Sequence, residues 1–325
     1  MSMNSIKIFF SLVLSVLLFN SCEKEVNINA DWEDITIVYG LINPNDSVSY
    51  LRIEKAYLSD GDIFQDAQIA DSNLYKNFLE VEIYSNNKTI VFDTITIFNK
   101  EDGIFYAPRM QVYYAVTKNQ LNTNDIYKLK VTNPESGKKI TSETKLIDAS
   151  HISFDYPNYS VSFVNDKEII FNAIKGALYY QLNIRFHYTE GIISGNDTSF
   201  SAEYVDWVFP AIYSSDDLGG EELEIPYFGE EFYANLNSHI PHINNVIRYG
   251  GQAELIISSA DRTFQTYLDL NKPSNSIVQD RPAFTNINNG YGIFASRSVG
   301  GKMVSLNSKS EKKLVDDYPD LKFQF

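Results

Sequence analysis

Apolar residues recur at every second position through much of this chain, and the alternation marks its strands. The longest run places Tyr180, Leu182, Ile184, Phe186 and Tyr188 on one side and Gln181, Asn183, Arg185 and His187 on the other. A period of two sends one face of a strand into a core and the other to solvent. Residues 126–146 hold the clearest hairpin. Tyr127, Leu129 and Val131 alternate with Lys128, Lys130 and Thr132, the Asn133-Pro134-Glu135-Ser136-Gly137 turn follows, and Lys139, Thr141, Glu143 and Lys145 continue the polar face. Shorter strands are predicted at 35–39, closed by Gly40 and the Asn43-Pro44-Asn45-Asp46 turn, and at 78–84 and 89–98. At 48–57 the apolar set reads as Val48, Tyr50 and Ile53, with one slip of register that suggests a bulge. Residues 59–71 read as an acidic loop, and Asp71-Ser72-Asn73 as the cap of a single turn.

The second half mixes strands with helices. Short strands are predicted at 152–163 and 168–173, a buried one at 253–258, and a closing one at 291–298 after Asn288-Asn289-Gly290. Phe232, Tyr233, Leu236 and Ile240 stand at helical spacing, with acids before them and Pro241 after, which predicts a helix over 229–240. Phe264, Tyr267 and Leu268 suggest another, and Ser308 with Glu311 forms a capping-box pattern ahead of Leu314 and Val315. Residues 191–200 and 214–224 read as polar loops. Strands near ten residues apart, joined by Gly, Pro and Asn turns, predict a mainly β protein. A boundary at Asp148-Ala149-Ser150 divides it into two β-sandwich domains, 31–148 and 149–325. The first is of immunoglobulin/transthyretin type, its Pro-Glu-Ser-Gly-Lys hairpin resembling the last hairpin of many exported bacterial domains. The second enters its long strand through Gly176-Ala177-Leu178-Tyr179-Tyr180, which resembles fibronectin type III domains; it carries a helical insertion and a C-terminal helix.

The N-terminus has a different pattern. Lys7 precedes an apolar run from Ile8 to Phe19, broken only by Ser11 and Ser15, and Asn20-Ser21 leads into Cys22. This is the plan of a secretory signal and is too short for a membrane span. Cys22 is the only cysteine, so an internal disulfide is excluded and the thiol needs another role. Phe19-Asn20-Ser21-Cys22 resembles the lipobox of bacterial lipoproteins, although Phe19 and Asn20 depart from the commonest Leu-Ala/Ser pattern. The resemblance implies a signal peptide over 1–21, cleavage before Cys22, and a diacylglycerol with palmitate-like chains on that thiol. Each buried methylene contributes roughly 0.8 kcal/mol, so several acyl chains anchor stably. Residues 22–30 then form a tether, in which Glu23-Lys24-Glu25 resembles the acidic export signal of Bacteroidota surface lipoproteins. The cell surface and the periplasmic face of the outer membrane both remain open.

The composition narrows the partners. Removing residues 1–21, which hold one lysine, leaves 304 residues with a formal charge near −16. Nucleic acid and anionic head groups repel such a chain. Its 22 tyrosines and 21 phenylalanines favour strands. The histidines are His151, His187, His239 and His242; the last two lie three apart, but Pro241 separates them and no third zinc ligand is near. Asp60-Gly61-Asp62 with Asp66 and Asp71 is only superficially a calcium loop, since Phe64 and Gln65 stand where an EF-hand needs an oxygen ligand and a glycine. The acids from Asp216 to Glu222 have the charge for calcium and no defined spacing. No cofactor and no metal is implied. Nucleophile elbow, phosphate loop, dinucleotide fingerprint and zinc-protease helix are all missing. A carboxylate pair for glycan hydrolysis is set in space rather than in sequence, so an exported glycan-processing enzyme stands as the alternative. Asp46-Ser47-Val48 and Asp93-Thr94-Ile95 resemble Bacteroidota glycosylation sites.

Ser21-Cys22-Glu23-Lys24-Glu25, Tyr39-Gly40-Leu41-Ile42-Asn43 and the stretch from Asn286 to Phe294 together resemble a group of Bacteroidota outer-membrane lipoproteins with no assigned activity, often encoded beside TonB-dependent receptors. The resemblance implies an accessory or binding role and supplies no catalytic residues. The expectation is a non-enzymatic, lipid-anchored protein that binds a β-barrel partner, such as a TonB-dependent receptor, or a nutrient. Tyr204, Trp207, Phe209 and Tyr213, near acidic residues, are the expected contacts, because aromatics are enriched at recognition surfaces.

Overall fold

A computed structural model describes residues 35–56, 62–86, 88–98, 100–103, 105–271 and 284–325. Cys22, its leader and the Asp60-Gly61 pair lie outside the described residues. The protein is mainly β. Its first strands are β1 (Thr36–Ile42), β2 (Val48–Lys55), β3 (Glu80–Tyr84), β4 (Thr89–Ile97), β5 (Met110–Val116), β6 (Ile126–Thr132) and β7 (Lys139–Lys145). They lie in the order β1-β2-β5-β4-β3-β6-β7, wrapped around a core that includes Val38, Leu51, Val81, Tyr113, Leu129 and Ile140.

Several local expectations change here. The first strand does not stop at Gly40: β1 runs through it, and the missing side chain lets Leu51 and Phe294 pack where a Cβ would stand 2.4 and 3.1 Å from them. In β2 the inward set is Ser49, Leu51 and Ile53, while Tyr50 is exposed and the pairing with β1 and β5 carries no bulge. The buried Ser49 hydroxyl is matched by Thr117 Oγ1 at 2.9 Å, so a polar residue occupies a core position without an unpaired group. The acidic stretch expected as a loop contains a short helix, α1 (Ile63–Ala67), and Asp71-Ser72-Asn73, expected to cap a turn, lie instead inside a second short helix, α2 (Ala70–Asn73), whose N-cap is Ile69. The Asp62 carboxylate caps α1 by accepting from Phe64 N at 2.9 Å.

The remaining elements are β8 (Phe154–Tyr156), β9 (Ser160–Val161), β10 (Lys167–Asn172), β11 (Ala177–Ser194), β12 (Asp197–Val208), β13 (Ile212–Tyr213) and β14 (Glu222–Tyr227). Then come α3 (Gly229–His239), β15 (Val246–Asp261), α4 (Arg262–Asn271), β16 (Gly290–Leu306), α5 (Ser308–Asp317), a 3₁₀ turn at Pro319–Leu321 and β17 (Phe323–Gln324). Strands β12-β11-β15-β16 form one layer and the small sheet β14-β10-β8 a second. Tyr180, Leu182, Ile184 and Phe186 meet Phe171, Ile225 and Tyr227 between them, with Phe232 and Leu236 of α3 and Leu314 of α5 joining the core. The stretch 191–200, expected as a loop, is instead a hairpin tip: β11 continues to Ser194, Gly195 turns at φ +63°, and β12 begins at Asp197. The C-terminal helix is capped one residue earlier than expected, by Asn307, whose side chain accepts from Ser310 N at 2.9 Å.

The two cores are joined by β16. Its first part, Gly290–Ser296, pairs in parallel with Thr36–Ile42, and its second part pairs antiparallel with β15 from Ala260 to Ala253. Phe294 is fully buried in the first core, Val304 and Leu306 in the second. Just before the strand, Asn288 bridges to Thr141 of β7 and Ser142 Oγ donates to Asn286 O at 2.7 Å, so residues 286–296 link β7 to β1. Gly292 is held at φ +102°, with Val38 O only 2.0 Å from where a Cβ would be, a place only glycine can fill. Ser296 and Ser298 hydroxyls accept from Ile147 N and Ala149 N, each at 2.9 Å. Buried Asp261 accepts from Ser296 N, Phe264 N and Thr144 Oγ1, yet burial still pushes its carboxyl above the ordinary value.

Phe294→Ala should cost about 3–5 kcal/mol of global stability, the usual range for a buried phenylalanine. Hydrogen exchange read over β1–β7 and over β11–β15 should show protection falling in both halves together, because one strand serves both cores. Loss confined to one half would contradict the shared-strand argument.

Candidate functional site

The four aromatics expected to act together are divided by the pleat of β12. Its register sets Trp207 opposite Ile184 and Val205 opposite Phe186, both core residues, while Asp206 lies opposite Arg185 and Tyr204 opposite His187 on the outer face. Trp207 packs 4.5 Å from Phe209 and 6.2 Å from Phe163, and Phe209 is only 6% exposed. Phe209 belongs to the core, and Trp207 packs against it partly buried. Tyr204 is 56% exposed, and Tyr213 of β13 stands edge-on to Tyr179, 6.0 Å away, with Phe264 of α4 a further 5.8 Å from Tyr179. The outer face therefore carries two of the four.

Around Tyr204 the outer face carries a polar network. Arg185 grips Asp206 with two parallel bonds of 2.8 and 2.9 Å, and Asn183 Nδ2 donates to the same carboxylate at 3.0 Å. The guanidinium lies 4.1 Å from the Tyr204 ring centre. His187 Nε2 meets Glu254 Oε2 at 3.0 Å. The Arg185 bonds hold the Asp206 carboxyl below the ordinary carboxylate value. None of these partners was expected as a contact residue, although the alternation through 180–188 had already put Arg185, His187 and Asn183 on a polar face.

Beside β12 lies a hollow of about 490 Å³, lined by Tyr188, Glu190, Glu203, Tyr204, His239 and Pro241 among others. Two of its lining residues, Glu190 and Pro241, are held by Arg248, a fully buried cation. Nε and Nη2 bond Glu190 Oε2 at 2.7 and 2.6 Å, Nη1 donates to Leu321 O, and Nη2 to Pro241 O, each at 2.8 Å. One guanidinium thus ties β11, β15, the segment after α3 and the 3₁₀ turn. A larger hollow of about 650 Å³ lies where the two cores meet, lined by residues such as Thr144, Lys145, Lys175, Asp217, Asp261 and Arg262.

The other candidates have local structural partners. His239 Nδ1 lies 2.9 Å from Asn235 O and His242 Nε2 3.3 Å from Asn237 O. His151 is exposed. Asp216 accepts from Leu218 N, and Glu221 from Ser215 N and Oγ, so the acidic loop is tied within itself. Among the described residues no three metal-ligating side chains gather. Asp46 pairs with Arg297 at 3.2 Å and Asp93 accepts from Thr94 N at 2.7 Å. No known protein family matches the chain, and no curated protein matches it in sequence.

Phe209→Ala should cost about 3–5 kcal/mol, whereas Tyr204→Ala, which loses its contact with Arg185 and the His187 ring at the surface, should cost about 1 kcal/mol or less. Urea unfolding of the two variants separates the core role from the surface one. A pH dependence follows from Asp206. Its carboxyl is depressed in the folded state, so its contribution is complete above the unfolded value of 3.8 and is lost as pH falls through the folded value. Arg185→Gln should flatten the stability profile below pH 3.8, and an unchanged profile would show the pair to be without weight.

Proposed function

We propose that this protein is a non-enzymatic lipoprotein of the bacterial outer membrane, anchored through Cys22 and acting as an accessory or binding subunit for a membrane partner or an extracellular nutrient. The observation that carries the reading is the leader: an apolar run ending in Phe19-Asn20-Ser21-Cys22, with the chain's single cysteine at the lipobox position. The exposed outer face of the β12-β11-β15-β16 layer supports a binding role. Tyr204, Tyr213 and the Arg185–Asp206 network lie on an open sheet face, held by bidentate, cation–ring and edge-on ring contacts rather than by loose surface chains.

The carboxylates speak for binding rather than glycan hydrolysis. A hydrolase needs one carboxyl raised as the acid beside a second that acts as base or nucleophile. In the hollow beside β12, Glu190 is tied to Arg248 and Asp206 is pushed down by Arg185. The carboxyl that burial raises, Asp261, lines the larger hollow, but its oxygens already accept from Ser296 N, Phe264 N and Thr144 Oγ1.

Growth with labelled palmitate should put label on the wild-type protein and none on Cys22→Ser, and the variant should move from the membrane to the soluble fraction. Mild detergent extraction should recover a β-barrel partner with the wild type. An unlabelled protein, or a Cys22→Ser variant equally membrane-bound, would refute the anchor.

A further inference from the structure

We propose that the free edge of β12 is a docking site for an extended, lysine- or arginine-bearing segment of a partner protein, which adds to the sheet as a further strand and places a basic side chain in the hollow beside Glu203. The proposal deepens the binding role above and rests on it.

Strand β12 pairs through twelve consecutive positions with β11, without a register shift, and among the described residues no strand pairs with its other side. A row of unpaired backbone groups is a template for another chain, and proteins blunt such edges with proline, lysine, bulges or brevity. The other sheet margins among the described residues are blunted. β8 has three residues, β14 carries Pro226, and β7 is covered by the Asn288 bridge and by Asn289 Nδ2 donating to Lys139 O at 3.1 Å. Strand β12 has none of these devices: from Asp197 to Val208 it contains no proline, glycine, lysine or arginine. Only its C-terminal end is shielded, where Asn235 Nδ2 of α3 donates to Asp206 O at 3.1 Å. The open stretch is therefore 197–205, flanked by the exposed rings of Phe200 and Tyr204.

The chemistry of the occupant follows from charge. The strand bears Asp197, Glu203 and Asp206 and no cation. Asp206 is matched by Arg185 and Glu190 by Arg248, which leaves Glu203 half-buried with no cation of its own among the described residues. Glu203 shares the hollow with Tyr188 and Tyr204. A carboxylate beside aromatic rings, partly out of water, suits an ammonium or guanidinium group. Strand addition gives affinity through main-chain bonds and specificity through pockets that take alternate side chains. A second copy is a poor occupant, because antiparallel self-pairing would set two acidic strands together in a chain of net charge −15.

The test is a titration of the full chain with a fluorescent peptide of β12's length that alternates lysine with threonine and valine, and with its glutamate counterpart. The lysine peptide should bind saturably and the glutamate peptide should not. Glu203→Lys should weaken binding by about tenfold or more, and the milder Glu203→Gln by less, as expected for a close charge pair. Amides within 197–205 should gain hydrogen-exchange protection on binding. No saturable binding, equal binding of both peptides, indifference to Glu203→Lys, or protection gained elsewhere would each overturn the proposal. Self-association of the peptide-free chain, abolished by Glu203→Lys, would replace it with a second copy. Because this titration needs no membrane, its failure is distinguishable from a failure of the Cys22 anchor.

Discussion

The parallel pairing of Gly290–Ser296 with Thr36–Ile42 is the contact on which the rest of the architecture depends. Parallel neighbours need a crossover between them. Here the intervening chain includes the remainder of the first core and nearly all of the second. The strand enters beside β1, buries Phe294 among first-core residues, passes Ser296 and Ser298, and leaves along β15 with Val304 and Leu306 in the second core. The serine hydroxyls hold the backbone of residues 147 and 149, so the outgoing and returning chains are bonded at the same place. Seen this way, a boundary at 148–150 marks where the chain first leaves the early core but not where that core is complete. A contact of such sequence separation forms only after a long loop has closed, which makes it entropically late.

Much of this was legible as alternation, and the places where it was not share a physical cause. Strands with one dry face announce themselves, as in 180–188 and 127–131, where the apolar set is the buried set. The tip of the β11–β12 hairpin is exposed on both faces, so its sequence lacks the contrast that a period-two reading requires. In β2 the same reading failed in the opposite sense. Val48 and Tyr50 are more apolar than Ser49, but the serine has Thr117 as a buried partner and so faces inward. At Gly40 of β1 the place of a side chain is taken by Leu51 and Phe294, the latter far along the chain.

The candidate site was half legible. A period of two in β12 separates Tyr204 from Trp207, and following it through Asp206 would have shown the split. What no local pattern could provide is partnership. Arg185 finds Asp206 twenty-one residues on, and Arg248 finds Glu190 fifty-eight residues back, because strands that neighbour in space are distant in sequence. Glu203 stands apart through what its neighbours do, since each of the nearest carboxylates already has a guanidinium.

Those guanidinium pairs also separate shape from stability. Ion pairs at a surface add little to folding, so the Arg185–Asp206 grip under Tyr204 matters more for fixing a surface than for holding the fold. Arg248 works under the opposite condition. A fully buried guanidinium would be strongly destabilising if any partner were lost, and here Glu190, Pro241 O and Leu321 O all converge on it. The energetic demand of that one cation therefore sets the position of Glu190 and of the chain leaving α3, and with them the walls of the hollow beside β12. A rigid hollow next to an unpaired strand edge combines two things that recognition of an extended chain requires: a backbone to bond and a fixed place for a side chain.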